Sequence, residues 1–545
     1  MDTRSAQTAR GMRDLLPDLM RRRQWVVRSL TTVFERFAYQ PLDTPAMERA
    51  EVLLGKYGPD AERLIYRAGL RGEMDLAMRY DHSVPLARFC ASQDALPRPF
   101  RRYQIGPVWR GERPQKGRYR EFVQADVDAV GTAELLADAE ILDIALAGMD
   151  ALGVGACRLM LNHRLILAAI GRYAGVPESL LGGLYRAIDK RDALGRDGLR
   201  VELLAVGLPS ELLHRQRQAV DRWLRGSAHA ERLEADLLAA LEPEDAATFG
   251  ARAVPRFLGA LAEAAAGESD PGAVERVVMA DSVDFLRALA PDAALLSEPV
   301  VDRLLELLDI DGQPDAVLGE LGQHLTDPTG RQGIDETRDV LEAVACTGRD
   351  VGRVDLDPAM VRGLEYYTGI IFEVVVPGAA VGSVASGGRY DNLVGTFGRD
   401  LPAVGMSFGV DRLLVAMDEL ALFPEAATSG HTQVLVTRFD DATTAAALRL
   451  AAALRDAGLR TEMVLDRDRL GDQIRHALRT SIPLVAIIGP DERARGDVTL
   501  RDLRTRSELT VPMLEVPSAV RRALGLAEPP GGDAPPAGDD GCPPS

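Results

Sequence analysis

Residues 101–131 read RRYQIGPVWRGERPQKGRYREFVQADVDAVG. Two segments with strand-like alternation flank the polar turn RPQKG, which predicts a β-hairpin. Arg110 and Glu112 share a face of the first strand. A period of two places four side chains of the second strand on one face: Phe122, Gln124, Asp126 and Asp128. Unpaired charges are costly to bury, so this face predicts a site for a polar, charged ligand rather than an ordinary core.

The loop of this hairpin is basic. It carries four cationic side chains: Arg113, Lys116, Arg118 and Arg120. Guanidinium groups bind phosphate oxygens through two parallel hydrogen bonds, so the loop suits a phosphate-bearing ligand. The alternative from the residues alone is a solvated basic hairpin at the surface.

A second unusual stretch is RGLEYYTGIIFE at residues 362–373. Only 5% of the chain is aromatic, yet Tyr366 and Tyr367 are adjacent and follow Arg362 closely. Adjacent side chains on a strand point to opposite faces, so at most one tyrosine should face a pocket unless the strand is bulged. The alternative is a pair of tyrosines packed within a sheet.

The first 425 residues mix helical and strand patterns. Residues 19–37 and 132–152 have helical spacing, and 60–131 read as antiparallel strands and loops. Residues 164–345 are rich in Ala, Leu, Glu and Asp and predict a mostly helical insertion. Breaks are expected near Gly267–Pro271 and Asp311–Pro314. Strand character returns from residue 353.

The last part of the chain reads as a separate unit. In residues 432–524, the short apolar strands TQVLVTRF, RTEMVL and PLVAIIG alternate with helical stretches at 441–457 and 469–480. This alternation predicts a small α/β domain with a largely parallel sheet. The Pro-, Gly- and Asp-rich tail is expected to be disordered.

Length and charge narrow the class of protein. A chain of 545 residues is expected to form two to four domains. The net charge of −18 argues against bulk attraction to nucleic acid but allows a local basic surface. The four cysteines are scattered, so neither a zinc site nor a disulfide framework is expected. Neither a membrane span nor a signal peptide is indicated, and a cytoplasmic location is expected.

Several motifs, taken in order, resemble one family. VWRGERPQKGRYREFVQADVDAVG resembles motif 2 of the class II aminoacyl-tRNA synthetases, in the form found in histidyl-tRNA synthetases. GMRDLLPDLM with the following helix resembles the N-terminal entry and motif 1 helix, and VGMSFGVDRLL resembles motif 3. MRYDHSVPLAR resembles the amino-acid-binding loop, and RGLEYYTG and SGGRYDNLVG resemble the two histidine-specific motifs. The resemblance covers nearly all of residues 10–515, but it defines the position of the helical insertion only loosely.

The resemblance implies an α+β catalytic core with an antiparallel sheet flanked by helices, a helical insertion and a C-terminal α/β anticodon-binding domain. The implied divisions are 1–163 and 346–425 for the core, 164–345 for the insertion, 432–524 for the anticodon domain and 525–545 for the tail. The implied activity is that of a histidine–tRNA ligase using ATP and Mg²⁺, with L-histidine and tRNA-His as partners and a homodimeric assembly. No protein metal ligand is implied, because Mg²⁺ arrives with ATP.

The resemblance also implies roles for individual residues. The catalytic arginines are Arg362 and Arg110. The histidine-binding residues are Asp81, Ser83, Arg110, Gln124, Asp128, Arg362, Tyr366, Tyr367 and Tyr390. The ATP-binding residues are Arg110, Glu112, Arg118, Phe122 and Arg412. The residues for the tRNA acceptor end are Arg113, Gln115 and Lys116.

Some implied contacts are more specific than others. Tyr367 is favoured for the imidazole, with Asp128 as its acidic partner. Gln124 is assigned to either the amino or the carboxylate end of the substrate. Glu112 is assigned to adenosine or to the shell of the magnesium ion.

Four positions depart from the usual pattern of the family. His82 and Ser83 stand where Leu and Thr are common, and Ser407 stands where Gly or Ala is usual. Asp128 replaces a glutamate, as in the archaeal and eukaryotic-like branch. Ser83 keeps the hydroxyl group and should keep its function, whereas no role is assigned to His82.

Two other functions are compatible with this kind of core. One is the non-catalytic regulatory subunit of ATP phosphoribosyltransferase, which generally lacks the anticodon domain and has lost catalytic positions. The other is a tRNA-sensing module, as in certain stress kinases. The anticodon domain and the arginines at 110, 118, 362 and 412 are all present here, which favours the ligase.

Overall fold

The computed structural model describes residues 6–57, 62–69, 75–208, 294–361, 366–428, 432–466 and 469–527. Several predicted features lie outside these residues: Arg362, the part of the insertion from 209 to 293 with its break near Gly267–Pro271, and the tail beyond 527. The chain forms two compact units, Met1–Phe423 and Pro424–Ser545.

The strands of the first unit are β1 (Gln40–Pro41), β2 (Met47–Arg49), β3 (Arg67–Ala68), β4 (Leu76–Met78), β5 (Phe100–Trp109), β6 (Glu121–Val130), β7 (Arg158–His163), β8 (Val354–Leu356), β9 (Ile370–Val375), β10 (Ala385–Arg389) and β11 (Ala403–Gly409). Its helices are α1 (Pro17–Arg36), α2 (Ala50–Leu53), α3 (Ser83–Ser92), α4 (Leu135–Ala151), α5 (Arg164–Ala174), α6 (Leu181–Ile188), α7 (Arg191–Leu204), α8 (Glu298–Leu308), α9 (Pro314–His324), α10 (Pro328–Cys346) and α11 (Val410–Glu419). Short 3-10 turns occupy Glu178–Leu180, Val351–Arg353 and Val394–Phe397.

An eight-stranded sheet in the order β1-β5-β6-β11-β10-β9-β7-β8 organises this unit. Its six central strands pair antiparallel, and only the outer pairs β1–β5 and β7–β8 are parallel. The strands β2, β4 and β3 form a small separate sheet. The predicted antiparallel sheet flanked by helices is therefore confirmed.

Apolar helices cover one face of the large sheet. In α1, buried Val26, Leu30, Val33 and Phe34 recur at helical spacing, which explains why the predicted helix at 19–37 forms, here as Pro17–Arg36. Phe34 packs against the ring of Phe408 on β11, with centroids 6.1 Å apart. Burial of an aromatic side chain of this size contributes about 3–5 kcal/mol, as judged by large-to-small substitutions. The opposite face of the sheet is left for polar side chains.

The described helices of the predicted insertion share a hydrophobic cluster with this sheet. Buried Ile166, Leu304 and Val344 belong to the same cluster as Val127 and Phe408. The helix α10 packs on α4 and α5. Helix α8 ends at Leu308 and α9 begins at Pro314, which matches the break predicted near Asp311–Pro314. The boundaries of the insertion at 164 and 345 stay a prediction.

The second unit contains the strands β12 (Val434–Val436), β13 (Thr461–Met463), β14 (Leu484–Ile487), β15 (Asp497–Asp502) and β16 (Ser507–Pro512). Its helices are α12 (Glu425–Thr428), α13 (Asp441–Asp456), α14 (Leu470–Arg479), α15 (Pro490–Arg495) and α16 (Val516–Ala523), with a 3-10 turn at Met513–Glu515.

The sheet of the second unit has the order β13-β12-β14-β15-β16. The three predicted strands pair parallel, whereas β14–β15 and β15–β16 pair antiparallel. The expectation of a largely parallel sheet was therefore half right. The hairpin β15–β16 forms because Asp502 accepts a hydrogen bond from the backbone N–H of Arg504, and Arg506 takes a left-handed φ of 59° to close the turn.

None of the described helices combines the length and the apolar character needed to cross a bilayer.

Candidate active site

The polar face of the large sheet is centred on β6. Phe122, Gln124, Asp126 and Asp128 face Val108, Gly106, Gln104 and Arg102 across the β5–β6 ladder, in that order. On the other side, Gln124, Asp126 and Asp128 lie opposite Gly409, Ser407 and Gly405 of β11. Small residues on β11 leave room above the sheet, so the predicted polar face of β6 forms the floor of a site.

The first strand of the hairpin ends sooner than predicted. β5 ends at Trp109, so Arg110 and Glu112 belong to the loop and not to a strand face. The chain turns away because the N–H of Gly111 donates to the carbonyl of Leu64 at 2.7 Å. Both side chains nevertheless reach the same cavity as Phe122.

A cavity of about 150 Å³ opens at one end of this floor. All five residues predicted to bind ATP line it: Arg110, Glu112, Arg118, Phe122 and Arg412. Gln124, Ser386, Ser407 and Asp411 also contribute to the wall. Three cationic side chains around one cavity suit a polyanionic ligand.

Arg110 is held in a defined position. Its Nε donates to the carbonyl oxygen of Tyr80 at 3.1 Å. Its guanidinium lies between two rings, 4.4 Å from the centroid of Tyr80 and 5.3 Å from that of Phe122. Burial opposes the charge of Arg110, yet nearby Tyr80, Glu112 and Asp81 outweigh that effect and raise its pKa. Arg110 is therefore a fixed positive charge at the inner end of the cavity.

The basic loop closes over the outer end of the cavity. Arg118 pairs with Glu112 at 3.1 Å, and Arg412 donates to the carbonyl of Ser383 at 2.7 Å. Gln115 and Arg118 exchange two backbone hydrogen bonds around Gly117, whose φ of 70° favours glycine. The three residues predicted to meet the tRNA acceptor end are all exposed: Arg113, Gln115 and Lys116. Lys116 also pairs with Glu419.

A buried carboxylate anchors this end of the site to the N-terminal segment. Asp411 accepts hydrogen bonds from Arg13 at 2.6 Å, from Arg23 at 2.7 Å and from the backbone N–H of Val123 at 2.8 Å. Arg13 also covers the ring of Tyr119 in the basic loop, 3.7 Å from its centroid. Through Arg13, the segment GMRDLLPDLM therefore contacts both the basic loop and the start of α11.

The other end of the floor carries a largely buried cluster of acids and phenols, the acid–phenol pocket. Tyr366 lies 5.0 Å from Tyr367 and 5.6 Å from Tyr390, measured between ring centroids. The hydroxyl of Tyr366 lies 3.5 Å from Asp81, and the hydroxyl of Tyr390 donates to Asp128. Three phenols and two acids, all predicted to bind histidine, are therefore brought together.

The two adjacent tyrosines do not lie on a strand. β9 begins only at Ile370, and Tyr366 and Tyr367 occupy the turn before it. The expectation that strand geometry would turn one of them away was therefore wrong. Gly388 lets the ring of Tyr367 approach the sheet, because a Cβ at that position would lie 2.9 Å from Cδ1 of Tyr367.

Asp81 and Ser83 lie at the start of α3. Asp81 is buried, and its Oδ1 accepts from the hydroxyl of Tyr57 at 2.9 Å and from the backbone N–H of Val84 at 3.1 Å. Burial raises the pKa of Asp81. Ser83 is half-buried and is the first residue of the helix.

Asp128 is 2% exposed within this cluster. Burial raises its pKa to about 6, against the opposing effect of the nearby Arg102 guanidinium. Arg102 is itself 0% exposed, and its Nη2 lies 2.9 Å from Oδ2 of Asp128, without the alignment of a hydrogen bond. The pocket therefore holds an acid that titrates close to the ordinary pKa of an imidazole.

Two residues of the site were not singled out by the sequence. Arg102 lies against Asp128, and the hydroxyl of Tyr57 donates to Asp81. Period-two spacing from Gly106 would have placed Arg102 on the polar face, but only the register of β5 shows that it lies opposite Asp128. Arg362 lies outside the described residues, so its catalytic role stays a prediction.

The antiparallel sheet, with a basic cavity and an acid–phenol pocket side by side on one face, is that of a class II aminoacyl-tRNA synthetase. The family model described as Histidyl-tRNA synthetase matches residues 11–246 and 252–413, and that described as Anticodon binding domain matches residues 433–523. The chain belongs to the histidyl-tRNA synthetase family. The predictions of the family and of the enzyme class are confirmed.

Relatives match the chain over nearly its whole length. The Histidine--tRNA ligase of Aeropyrum pernix is 36% identical over 525 residues, which cover 94% of this chain and 98% of the relative. The Histidine--tRNA ligase of Gloeobacter violaceus is 33% identical and covers 93% and 96%, respectively. The crystal structure of histidyl-tRNA synthetase from Nostoc sp. PCC 7120 has a TM-score of 0.67 at 25% identity, covering 95% of this chain and 99% of that one.

A structure from Bacillus halodurans described as an ATP phosphoribosyltransferase regulatory subunit/histidyl-tRNA synthetase has a TM-score of 0.59 at 20% identity. It covers 86% of this chain and 96% of that one. At this identity the likeness shows the shared fold alone.

Proposed function

We propose that this chain activates L-histidine with ATP, forming histidyl-adenylate and pyrophosphate, and then esterifies tRNA-His. One observation carries the proposal: the basic cavity and the acid–phenol pocket share the strand β6. Gln124 lies on the wall of the cavity, and Asp128 lies four residues further along the same face of that strand. A nucleotide in the cavity and an amino acid in the pocket would therefore meet near Gln124.

In the first step, a carboxylate oxygen of histidine attacks the α-phosphorus of ATP, and the bond to the pyrophosphate oxygen breaks. Negative charge increases at the α-phosphate, so a preorganised cation there lowers the barrier. Arg110 is such a cation, because Tyr80 and Phe122 hold its guanidinium in place. Arg362 is the second cation assigned to this point.

The pocket suits an imidazole ring because it presents both donors and acceptors. Burial raises the pKa of Tyr367, so its hydroxyl stays protonated and can donate. Asp128 supplies an acceptor for a ring N–H. A site built to hydrogen-bond its substrate rejects apolar analogues, because its own buried polar groups would be left unpaired.

Mg²⁺ would be held mainly by the phosphates of ATP. Two carboxylates line the cavity, Glu112 and Asp411. Asp411 already accepts three hydrogen bonds, whereas the one side-chain partner of Glu112 among the described residues is the half-exposed Arg118. Glu112 is therefore the residue that fits a water-mediated contact to the ion, whose chemistry is to neutralise charge on the phosphates.

In the second step, a hydroxyl of the terminal tRNA nucleotide attacks the activated carbonyl, and AMP leaves. The exposed side chains of Arg113, Gln115 and Lys116 are assigned to the acceptor end of tRNA-His. The matched domain at 433–523 is assigned to the anticodon loop. Unstacked loop bases are the usual targets of sequence-specific RNA recognition.

A homodimer and a cytoplasmic location complete the proposal. Both rest on the resemblance, since class II enzymes of this kind pair through motif 1. Sedimentation of the purified protein at several concentrations tests the first, and fractionation of cells tests the second.

The decisive experiment is ATP–pyrophosphate exchange with each amino acid in turn, without tRNA. Exchange with histidine alone supports the proposal and leaves the choice of tRNA to an aminoacylation assay. If the folded protein supports no exchange with any amino acid, the proposal fails. The regulatory and tRNA-sensing alternatives would then come first.

A further inference from the structure

The turn that carries Tyr366 and Tyr367, the tyrosine turn, packs against Arg389, the last residue of β10. The backbone N–H of Thr368 donates to the carbonyl oxygen of Arg389 at 2.8 Å. Gly369 follows, and a Cβ there would lie only 3.0 Å from Cδ and 3.1 Å from Cβ of Arg389. The tyrosine turn therefore lies directly against the aliphatic part of the Arg389 side chain.

A hydroxyl and a carboxylate connect the tyrosine turn to β10 a second time. Oγ1 of Thr368 donates to Oδ2 of Asp391 at 2.9 Å and accepts from the backbone N–H of Asp391 at 3.1 Å. The other oxygen of this carboxylate, Oδ1, accepts from Nη1 of Arg389 at 3.2 Å. Thr368 is thus bonded to Arg389 directly through the backbone and indirectly through Asp391.

The side chain of Arg389 points away from the acid–phenol pocket. Gly388 and Tyr390 face the polar side of the sheet, so the alternation of a strand turns Arg389 towards the opposite face, where α4 lies. There its Nε donates to Oδ1 of Asp138 on α4 at 3.0 Å, and its Nη2 donates to Oδ2. The tyrosine turn is therefore connected to a helix on the other side of the sheet.

The same guanidinium reaches the segment that follows β6. Nη1 donates to the carbonyl oxygen of Thr132 and Nη2 to that of Glu134, each at 3.2 Å. β6 carries Asp128, the acid assigned to the imidazole. Arg389 therefore connects the two walls of the acid–phenol pocket, the tyrosine turn and the end of β6.

Stability alone would not favour a buried ion pair at this place. The side chain of Arg389 is 6% exposed and that of Asp138 is 1% exposed. Removing both charges from water is costly, and an apolar pair of similar volume often stabilises a core as well or better. The charged pair adds direction, because a guanidinium holds several N–H donors in one fixed plane. The pair therefore suits a positioning role.

We propose that a brace of four residues positions the tyrosine turn and thereby determines how tightly the imidazole ring is held: Thr368, Asp391, Arg389 and Asp138. They are positioning residues, which act on the substrate through the two tyrosines. The inference rests on the proposed function and deepens it, because it places determinants of histidine recognition on the helix-covered side of the sheet.

The first test removes one hydroxyl group. Thr368→Val keeps the shape of the side chain but loses both hydrogen bonds with Asp391. One hydrogen bond to a charged group corresponds to roughly 10-fold in affinity, so the KM for histidine in ATP–pyrophosphate exchange should rise by about that factor. The KM for ATP should change by less than about twofold, because the nucleotide cavity is a separate part of the site. Thr368→Ser, which keeps the hydroxyl, should restore the KM for histidine.

Thr347→Val is the matched control in the same unit. Thr347 follows the last turn of α10, and its hydroxyl donates to the carbonyl oxygen of Val344 at 2.8 Å. The variant also loses a hydroxyl hydrogen bond, but outside the brace, so both KM values should stay those of the wild type. Asp391→Ala should reproduce the effect of Thr368→Val, and the double variant should add little, because both changes break the same connection.

A second set of variants separates positioning from stability. Arg389→Met alone leaves the carboxylate of Asp138 buried without its guanidinium, so it should unfold at a lower urea concentration. The double variant Asp138→Leu/Arg389→Met replaces the pair by apolar side chains of similar size and should recover most of that loss. It should nevertheless keep the raised KM for histidine, because packing is restored and the directed hydrogen bonds are not.

Hydrogen–deuterium exchange measures the tyrosine turn itself, without substrate. The amide of Thr368 is hydrogen-bonded to Arg389, so the peptide that contains it should be protected in wild-type protein and in Thr347→Val. The same peptide should lose protection in Thr368→Val and in the apolar double variant, while the peptides of the central strands keep theirs.

Unchanged protection of the tyrosine turn in the folded Thr368→Val and double-variant proteins would overturn the brace. A loss of protection that leaves the KM for histidine unchanged, or raises the KM for ATP equally, would overturn it as well. If wild-type protein supports no histidine-dependent exchange of pyrophosphate, the proposed function has failed, and deuterium exchange then decides the brace alone. Loss of protection confined to the tyrosine turn would support the brace as a positioning device, and retained protection would refute it.

Discussion

Gly405 lies directly opposite Asp128 across the β6–β11 ladder, and replacing it by alanine tests the proposed histidine pocket. A Cβ on Gly405 would lie 2.0 Å from Oδ1 and 2.5 Å from Cγ of Asp128. No such contact can exist, so the Asp128 side chain must rotate away. It would then lose the hydrogen bond from Tyr390 and its contact with Arg102.

The size of the effect follows from what Asp128 is proposed to bind. A hydrogen bond involving a charged group contributes about 1.5–3 kcal/mol, so Gly405→Ala should raise the KM for histidine by roughly 10- to 150-fold. The KM for ATP should change little, because Asp128 lies four residues along β6 from the cavity-lining Gln124. ATP–pyrophosphate exchange with varied histidine and with varied ATP measures both.

Gly409→Ala is the matched control on the same strand. A Cβ there meets nothing closer than 3.5 Å, and the residue lines the nucleotide cavity. Any effect should fall on ATP and spare histidine. If folded Gly405→Ala protein keeps the wild-type KM for histidine, or if the KM values for ATP and histidine rise together, the assignment of Asp128 to the imidazole is refuted.

Three more results are expected. Burial raises the folded-state pKa of Asp128 from 3.8 to about 6. Its contribution to stability is therefore complete below about pH 4 and lost as the pH rises through about 6, so the difference in free energy of unfolding between wild type and Asp128→Asn should change by up to about 3 kcal/mol between pH 4 and 7.5. Urea unfolding across that range measures it, and a constant difference contradicts the shift. Asp411→Ala leaves Arg13, Arg23 and a backbone N–H without their acceptor and should cost about 3–5 kcal/mol. A change below 1 kcal/mol in urea unfolding would show that water replaces the carboxylate. Arg362→Ala should lower the exchange rate far more than it raises the KM for histidine, because its charge acts on the transition state; equal changes would remove it from that role.

The strand patterns of the hairpin around residues 101–131 were sufficient to predict its polar face. Side chains at 122, 124, 126 and 128 must share a face once the segment is a strand, since alternation is a local property of the backbone. The helices α1, α13 and α14 were predictable for the same reason, because their apolar residues recur at a fixed local spacing. The family resemblance then assigned roles that no spacing could supply.

Pairing between distant strands determined which residues of the site contact one another. The register of β5 places Arg102 against Asp128, and the pairing of β11 with β6 places Ser407 against Asp126. The turn before β9 brings Tyr366 and Tyr367 to one wall, contrary to the strand-based expectation. The hairpin β15–β16 makes half of the second sheet antiparallel.

The sequence by itself determined which residue types face the site, because alternation along a strand and spacing along a helix are set by the local backbone. Only the tertiary structure decided which of them are partners. Partnership depends on the register between strands that are hundreds of residues apart, and on glycines such as Gly388 and Gly405 that let side chains reach across. His82 shows the difference: its position in the chain gave no indication of its neighbours, whereas the fold buries it with Nδ1 3.5 Å from Oδ2 of Asp126.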